Sequence, residues 1–438
     1  MKTINVLHIT AHLGGGIGKA LCGLVSRSSV DPRIKHSIVC LEKPEKAQFL
    51  EKIVAHGCEV VVAPSHGHFV ELIQHADIVQ LEWWGHPASI AALCGGPLPR
   101  MRLLVWNHIS GLHTPIIPRR LMESAHRCIF TTPCSYGTEE VLQLSSMSRS
   151  QLDVVHSAGG FEGLDLPERR TDESLVAGYL GSLNFAKLHP RYVEFLAAVR
   201  IPGFRVRMIG DITNRSTLEK QCSQAGRPGM LEFSGYTTDV ASELASINVM
   251  PYILNPRHYG TSENALLEAM AMAVVPVVFN NPAESCLVTH GKTGLIVKNP
   301  EELGAAIESL ANNPGERRRI ALDAAKAVRC CFAVEKMIDA FNIHYHTLQT
   351  SEKASIPFGE IFGRTPDEWF LAIQRHPEIF TNGKHLGTMD KYSLPGLFER
   401  TKGSVFHYYS YFSENHQLKI WVDKLKHFET NGDIQYNV

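Results

Sequence analysis

Residues 258–279 read HYGTSENALLEAMAMAVVPVVF. Tyr259, Gly260, Thr261 and Ser262 carry the chemistry of a turn and a helix start: a residue without a Cβ, then two hydroxyls. From Glu263 to Ala273 the residues are mostly Ala, Leu, Met and Glu, which lose little side-chain freedom in a helix. Val274 to Phe279 is an apolar, β-branched run with one Pro, as in a strand entering a buried parallel sheet. A helix that starts after a Gly turn presents free N–H groups and a positive dipole end, which together favour phosphate. Asn264 and Glu268 lie four apart and share one helix face. A carboxylate just inside such a helix suits ribose hydroxyls. The stretch predicts half of a nucleotide site.

Outward from it, short apolar strands alternate with helical stretches. In the first 165 residues strands are expected at 4–9, 35–40, 59–62, 77–81, 102–106, 128–132 and 153–156, with helices at 18–26 and 46–56. A second series runs through strands at 176–180, 205–209, 231–234, 249–252 and 294–297 and helices at 192–199, 216–225, 241–245 and 300–312. Such alternation implies mostly parallel, doubly wound sheets, which bind ligands at the carboxyl ends of their strands. The expected fold class is α/β: two doubly wound Rossmann-like domains facing a cleft, at 1–165 and 173–335. A helix at 336–350 is placed to cross back to the first domain.

Residues 351–438 differ in kind, with 15 aromatics among these last 88 residues against 21 in the preceding 350. Disordered tails are poor in aromatics, so this extension is expected to be folded or docked. It could bind acceptor, close the cleft, form a dimer or simply pack.

The chain has 438 residues, 43 basic and 44 acidic, for a formal net charge of −1. Nothing in that balance argues for a nucleic-acid partner. The ten cysteines are scattered without CxxC or paired Cys/His spacing, which suits a reducing cytoplasm better than a disulfide framework or zinc site. The start MKTINVLHIT reads as a strand and not as a signal peptide, and no apolar run reaches the length of a membrane span. Arg119, Arg120 and Arg127 leave room for contact with an anionic membrane face.

Three further constellations carry chemistry. Gly14, Gly15, Gly16, Ile17, Gly18 and Lys19 follow the first strand and open a helix, where glycines let backbone N–H groups approach a ligand. Ala20 after Lys19 breaks the P-loop pattern. Residues 181–190, GSLNFAKLHP, follow the first strand of the second series and put Lys187 near a pyrophosphate. His108 stands at the end of the strand at 102–106, and Glu82, also just past a strand, is a candidate for an acceptor hydroxyl.

In order, GGGIGK, Asn107-His108, GSLNFAK, RMIGD at 207–211, FSGY at 233–236, ENALLEAMA, VVPVV and HGKTGL at 290–295 resemble a family 4 (group 1) retaining glycosyltransferase of the GT-B fold. The resemblance covers roughly residues 1–350. It implies transfer of a sugar from a nucleotide-diphosphate sugar to a hydroxyl of a glycan, lipid-linked or small-molecule acceptor, with retention and without metal or other cofactor. It implies that Glu268 holds the ribose, Lys187 the pyrophosphate, and His108 lies close to the transferred sugar, with Thr261 and Ser262 at the diphosphate. Gly15, Gly16, Glu263 and Asn264 complete the expected donor surface.

Two positions depart from the family. Gly260 stands eight before Glu268, where the family has its first Glu, and Ser182 stands where it has an Arg partner to the lysine. Glu263 could replace the first, and Arg257 or His258 the second. A nucleotide-sugar-binding subunit without activity, or a nucleotide-sugar epimerase, are the competing readings. A homodimer and a peripheral membrane contact at the inner face are compatible with the sequence.

Overall fold

The computed structural model describes residues 3–26, 31–44, 47–158, 160–161, 163–168, 174–381, 386, 389 and 391–430. The start of the second domain, expected at residue 173, lies outside the described residues, as do parts of the C-terminal extension, including 431–438.

Two parallel sheets organise the chain. The first has strands β1 Ile4–Thr10, β2 Ile34–Cys40, β3 Glu59–Val62, β4 Ile78–Trp83, β5 Leu103–Asn107, β6 Arg127–Phe130 and β7 Leu152–Val154, in the order β3-β2-β1-β4-β5-β6-β7. The second has β8 Ala177–Leu180, β9 Val206–Ile209, β10 Leu231–Gly235, β11 Val249–Tyr252, β12 Val275–Phe279 and β13 Leu295–Val297, in the order β10-β9-β8-β11-β12-β13. Every pairing is parallel. The order reverses beside β1 in one sheet and beside β8 in the other, and a crevice opens at such a switch point. The loops that leave β1 and β8 are the two Gly-bearing loops singled out from the sequence.

Central strands are buried along their whole length, as in β4, β5 and β11. Helices cover both faces of such sheets, so these strands read as continuous apolar runs. The sequence misses the helices His66–His75, Pro87–Cys94 and Pro282–Leu287. The first two are short and rich in His or small residues, and the third starts on a Pro that reads equally well as a loop.

The core divides in two. One cluster gathers β1 to β7, and into it come Val334, Phe341, Tyr345 and Leu348 from the Val334–Gln349 helix. The other surrounds β8 to β13 and the Pro314–Cys331 helix. The chain thus crosses back to the first sheet after Cys331, at Ala333.

The aromatic extension is a cluster of short helices, including Pro366–Leu371, Val405–Tyr411 and His416–Thr430. Phe370, Tyr408 and Trp421 are buried in the first core. Tyr408 donates to Gly85 O at 3.3 Å, and Arg375 donates to Gly111 O and both oxygens of Glu140. The cluster also reaches the second sheet, where Asn255 donates to Tyr392 O at 3.0 Å. Among the described residues no helix is long and apolar enough to cross a membrane.

Candidate functional site

The two loop-to-helix turns face each other across the crevice. On the first, the Gly15–Val25 helix opens directly on the glycines. Gly15 has φ +54°, a left-handed conformation that glycine adopts at little cost. Gly16 is needed for space: a Cβ there would lie 2.8 Å from Asn264 Nδ2 on the opposite turn. On the second, the helix spans Asn264–Ala271 with Glu263 at the N-cap position, later than Thr261 and Ser262 suggest, and no side chain caps it.

Thr261 is occupied otherwise. Its hydroxyl lies 3.0 Å from Thr131 Oγ1 and 2.7 Å from Thr132 Oγ1, both just past β6. Ser110 N donates to Tyr259 O at 3.0 Å. These bonds join the two halves at the floor of the cleft.

A cavity of about 190 Å³ lies between the turns. Gly15, Gly16, His108, Thr261, Ser262 and Asn264 line it, so these predicted residues are brought together. Glu268 stands behind, one helical turn after Asn264, and accepts a hydrogen bond from Lys19 Nζ at 2.6 Å. Lys19 ends the Gly motif; the sequence gives no sign of this bond, which spans 249 positions.

The half-buried Lys187 pairs with the buried Glu263 instead of lining that cavity. Lys187 Nζ donates to Glu263 Oε1 at 2.7 Å, and Tyr252 OH donates to Oε2 at 2.7 Å. Burial pushes the Glu263 carboxyl up, but the charges of Lys187 and His258 and these hydrogen bonds outweigh it and hold it below the usual range. Gly260 N donates to His258 Nδ1 at 3.0 Å. A Cβ on Gly260 would overlap Glu263 Oε1 and lie 2.7 Å from Lys187 Nζ. Gly260 is therefore the room that the Glu263 carboxylate fills.

Ser182 is exposed, with its carbonyl accepting from Tyr179 OH. Neither expected replacement for the missing arginine reaches the small cavity. His258 is buried with Nε2 3.1 Å from Glu284 Oε1. Arg257 lines a second cavity, of about 340 Å³, between the C-terminal helices and the two halves. His258, Glu263 and Glu284 are the one group among the described residues whose ligating atoms cluster as a metal site would need, all within 4.8 Å. Lys187 already supplies a cation to that group.

Glu82 requires a correction. It is fully buried and cannot meet an acceptor hydroxyl at the surface. Its Oε2 accepts from His108 Nε2 at 2.7 Å, and its Oε1 accepts from His8 Nδ1 at 3.0 Å and Gln80 Nε2 at 2.9 Å. His8 Nε2 continues to His36 Nδ1 at 2.9 Å, and Tyr345 OH closes the network on Gln80 Oε1 at 2.6 Å. Burial raises the Glu82 carboxyl, but hydrogen bonds from both histidines win and keep it below its usual range. Burial, reinforced by His8, pushes His36 down to about 3. The carboxylate thus fixes which His108 nitrogen carries hydrogen and how the ring is turned toward the cavity. A signal existed: Gln80 and Glu82 share one face of β4, and His8 pairs with Gln80 on the adjacent β1. Three polar residues on one face of central strands imply an internal network.

Residues 166–327 match the family described as glycosyl transferases group 1. That segment belongs to the group 1 family. It contains every strand of the second sheet, Lys187 and the whole Gly260–Glu268 turn and helix. The chain is 26% identical over 147 residues to the lipopolysaccharide core biosynthesis glycosyltransferase LpsE of Rhizobium meliloti (strain 1021), a match spanning 33% of this chain and 42% of that protein. In three dimensions it resembles a glycosyltransferase from Rickettsia africae ESF-5, with TM-score 0.65 and 13% identity over 80% of this chain and 100% of that one. It also resembles Anabaena HepE in complex with UDP and glucose, with TM-score 0.58 and 15% identity over 78% and 100% of the two chains. The two facing sheets have the GT-B arrangement expected from the sequence.

Proposed function

We propose that the chain is a retaining glycosyltransferase that moves a sugar from a nucleotide-diphosphate donor, with UDP-sugars the first class to test, to a hydroxyl of a glycan or lipid-linked glycan acceptor. The group 1 match over the half that carries the Gly260–Glu268 turn supports this reading most directly. HepE in complex with UDP and glucose, and the lipopolysaccharide core enzyme, supply the donor and acceptor classes.

The chemistry required is stabilisation of a leaving nucleoside diphosphate as the glycosidic bond breaks, and fixed donors placed where that charge develops lower the barrier most. In this reading the diphosphate lies between Gly15-Gly16 and the N–H groups at Thr261–Asn264, Glu268 takes the ribose, and His108 lies beside the sugar. Lys187 acts mainly through Glu263, holding the turn in shape. The acceptor hydroxyl attacks from the face the diphosphate leaves, so no enzyme nucleophile is needed and the anomeric configuration is kept. Protein and cation donors serve where a metal ion would otherwise neutralise the diphosphate.

Incubation with UDP-glucose, UDP-galactose and UDP-N-acetylglucosamine plus truncated core oligosaccharides tests it. The expected result is nucleotide release that depends on acceptor, and a product with the donor's anomeric configuration by NMR. Inversion, or donor epimerisation without acceptor, would overturn the reading.

A further inference from the structure

Among the described residues, the small cavity between the two turns has a single lysine or arginine on its wall, and it comes from neither sheet: Lys402. The other polar walls are glycines, hydroxyls, Asn264 and histidines. Lys19 and Lys187, the two cations the motifs supply, are each bonded to a carboxylate, Glu268 and Glu263. A diphosphate placed there would meet helix-start N–H groups and, from the motif residues, no uncompensated cation.

We propose that Lys402, carried into the cleft by the C-terminal helices, is the cation that binds the donor's diphosphate. This rests on reading the cleft as a nucleotide-diphosphate site.

Lys402 borders both the small cavity and the larger one behind it, so its side chain stands where they meet. It is solvent-accessible yet set deep among protein atoms, as a residue in a cavity wall is. Its backbone has φ +55°, a left-handed conformation unusual for a residue with a side chain. Strain of this kind persists only where the surroundings hold it. Here Gly403 N donates to His407 Nδ1 at 3.1 Å, Gln374 Nε2 donates to Gly403 O at 3.4 Å, and Ser404 N donates to Thr401 O at 3.2 Å. The turn is also pressed onto the first half, since a Cβ on Gly403 would lie 3.0 Å from Gly85 O.

Burial lowers the Lys402 ammonium's pKa, Glu399 opposes that, and the charge of Lys187 adds to it. The charge of a dianionic ligand offsets both costs. Lys402 thereby offers the charge that Ser182 leaves missing, from a part of the chain outside the group 1 match.

The test is calorimetry on the full chain with UDP, GDP and ADP, each beside its parent nucleoside, for wild type, Lys402→Gln, Lys402→Gly and Lys402→Arg. Loss of a charged hydrogen-bond donor should weaken the preferred diphosphate about ten- to a hundredfold. The nucleoside should be unaffected, and arginine should restore most of the loss. Lys402→Gly relieves the left-handed strain, so its melting temperature should equal or exceed wild type while its diphosphate affinity falls. Equal diphosphate affinity in wild type, Gln and Gly variants would overturn the proposal alone. If wild type binds none of the diphosphates, the reading of the cleft itself fails.

Discussion

Each half buries one carboxylate behind the cleft, and the two are neutralised differently. Glu82 in the first half is held by His8, His108 and Gln80. Glu263 in the second is held by Lys187 and Tyr252. The first network is built mostly from histidines and ends on a ring that faces the cavity. The second is built on a lysine and ends on the backbone of the Gly260 turn. The first therefore aims one side chain, whereas the second fixes the shape of a loop.

Breaking the second network should cost most. Glu263→Ala leaves the half-buried Lys187 without its buried carboxylate partner, and about 3 kcal/mol of stability should be lost. Chemical denaturation measures it; a loss under about 1 kcal/mol would mean the pair is not the turn's anchor. Gly260→Ala should fall in the same direction, because its methyl overlaps the carboxylate.

Acid should come next. Burial pushes His36 down to about 3 and His86 to about 2. Both take up a proton more readily when unfolded, so stability is at its plateau above the unfolded value near 6.5 and falls as pH drops toward the folded ones. These two groups alone predict a loss of about 2–3 kcal/mol between pH 7.5 and 5.5, to which His113, His189 and His407, each pushed down to about 4, add. His36 and His86 lie in the first half, and His189, in the second, adds a loss of the same sign. A stability that is flat or rises over that interval contradicts the arrangement.

Glu82→Gln tests the aiming role. The amide keeps the shape but removes the charge and offers a donor where two histidines now donate. Turnover should drop about tenfold or more, with donor KM changed less. Equal effects on both would make Glu82 a structural residue only.

The rim pair is the mildest case. Lys19 and Glu268 are partly exposed, so Glu268→Ala should change stability by under about 1 kcal/mol. A loss as large as that of Glu263→Ala would erase the distinction between rim and buried pairs.

The sheets were legible because parallel strands covered on both faces are mostly apolar, and the thirteen described strands sit within a few residues of short apolar runs. The helix at Asn264–Ala271 and the glycine turn before the Gly15–Val25 helix were legible for the same local reason. What could not be read were the pairings between distant positions. Nothing in GGGIGK announces that Lys19 meets Glu268, and nothing in the extension announces that Lys402 enters the cleft. Glu82 misled because position at a strand end does not reveal whether a side chain points to the crevice or into the sheet's covered face. Gly260 was informative in the opposite sense: its lack of a side chain has meaning only once Glu263 is seen to fill the space.

The most direct test of the central claim is calorimetric titration of the full chain with UDP-glucose, UDP-galactose and UDP-N-acetylglucosamine, repeated with Glu268→Ala. Saturable one-to-one binding of at least one of them is expected, weakened about tenfold or more by the substitution. Absence of binding by all three, or binding that Glu268→Ala leaves unchanged, would contradict it.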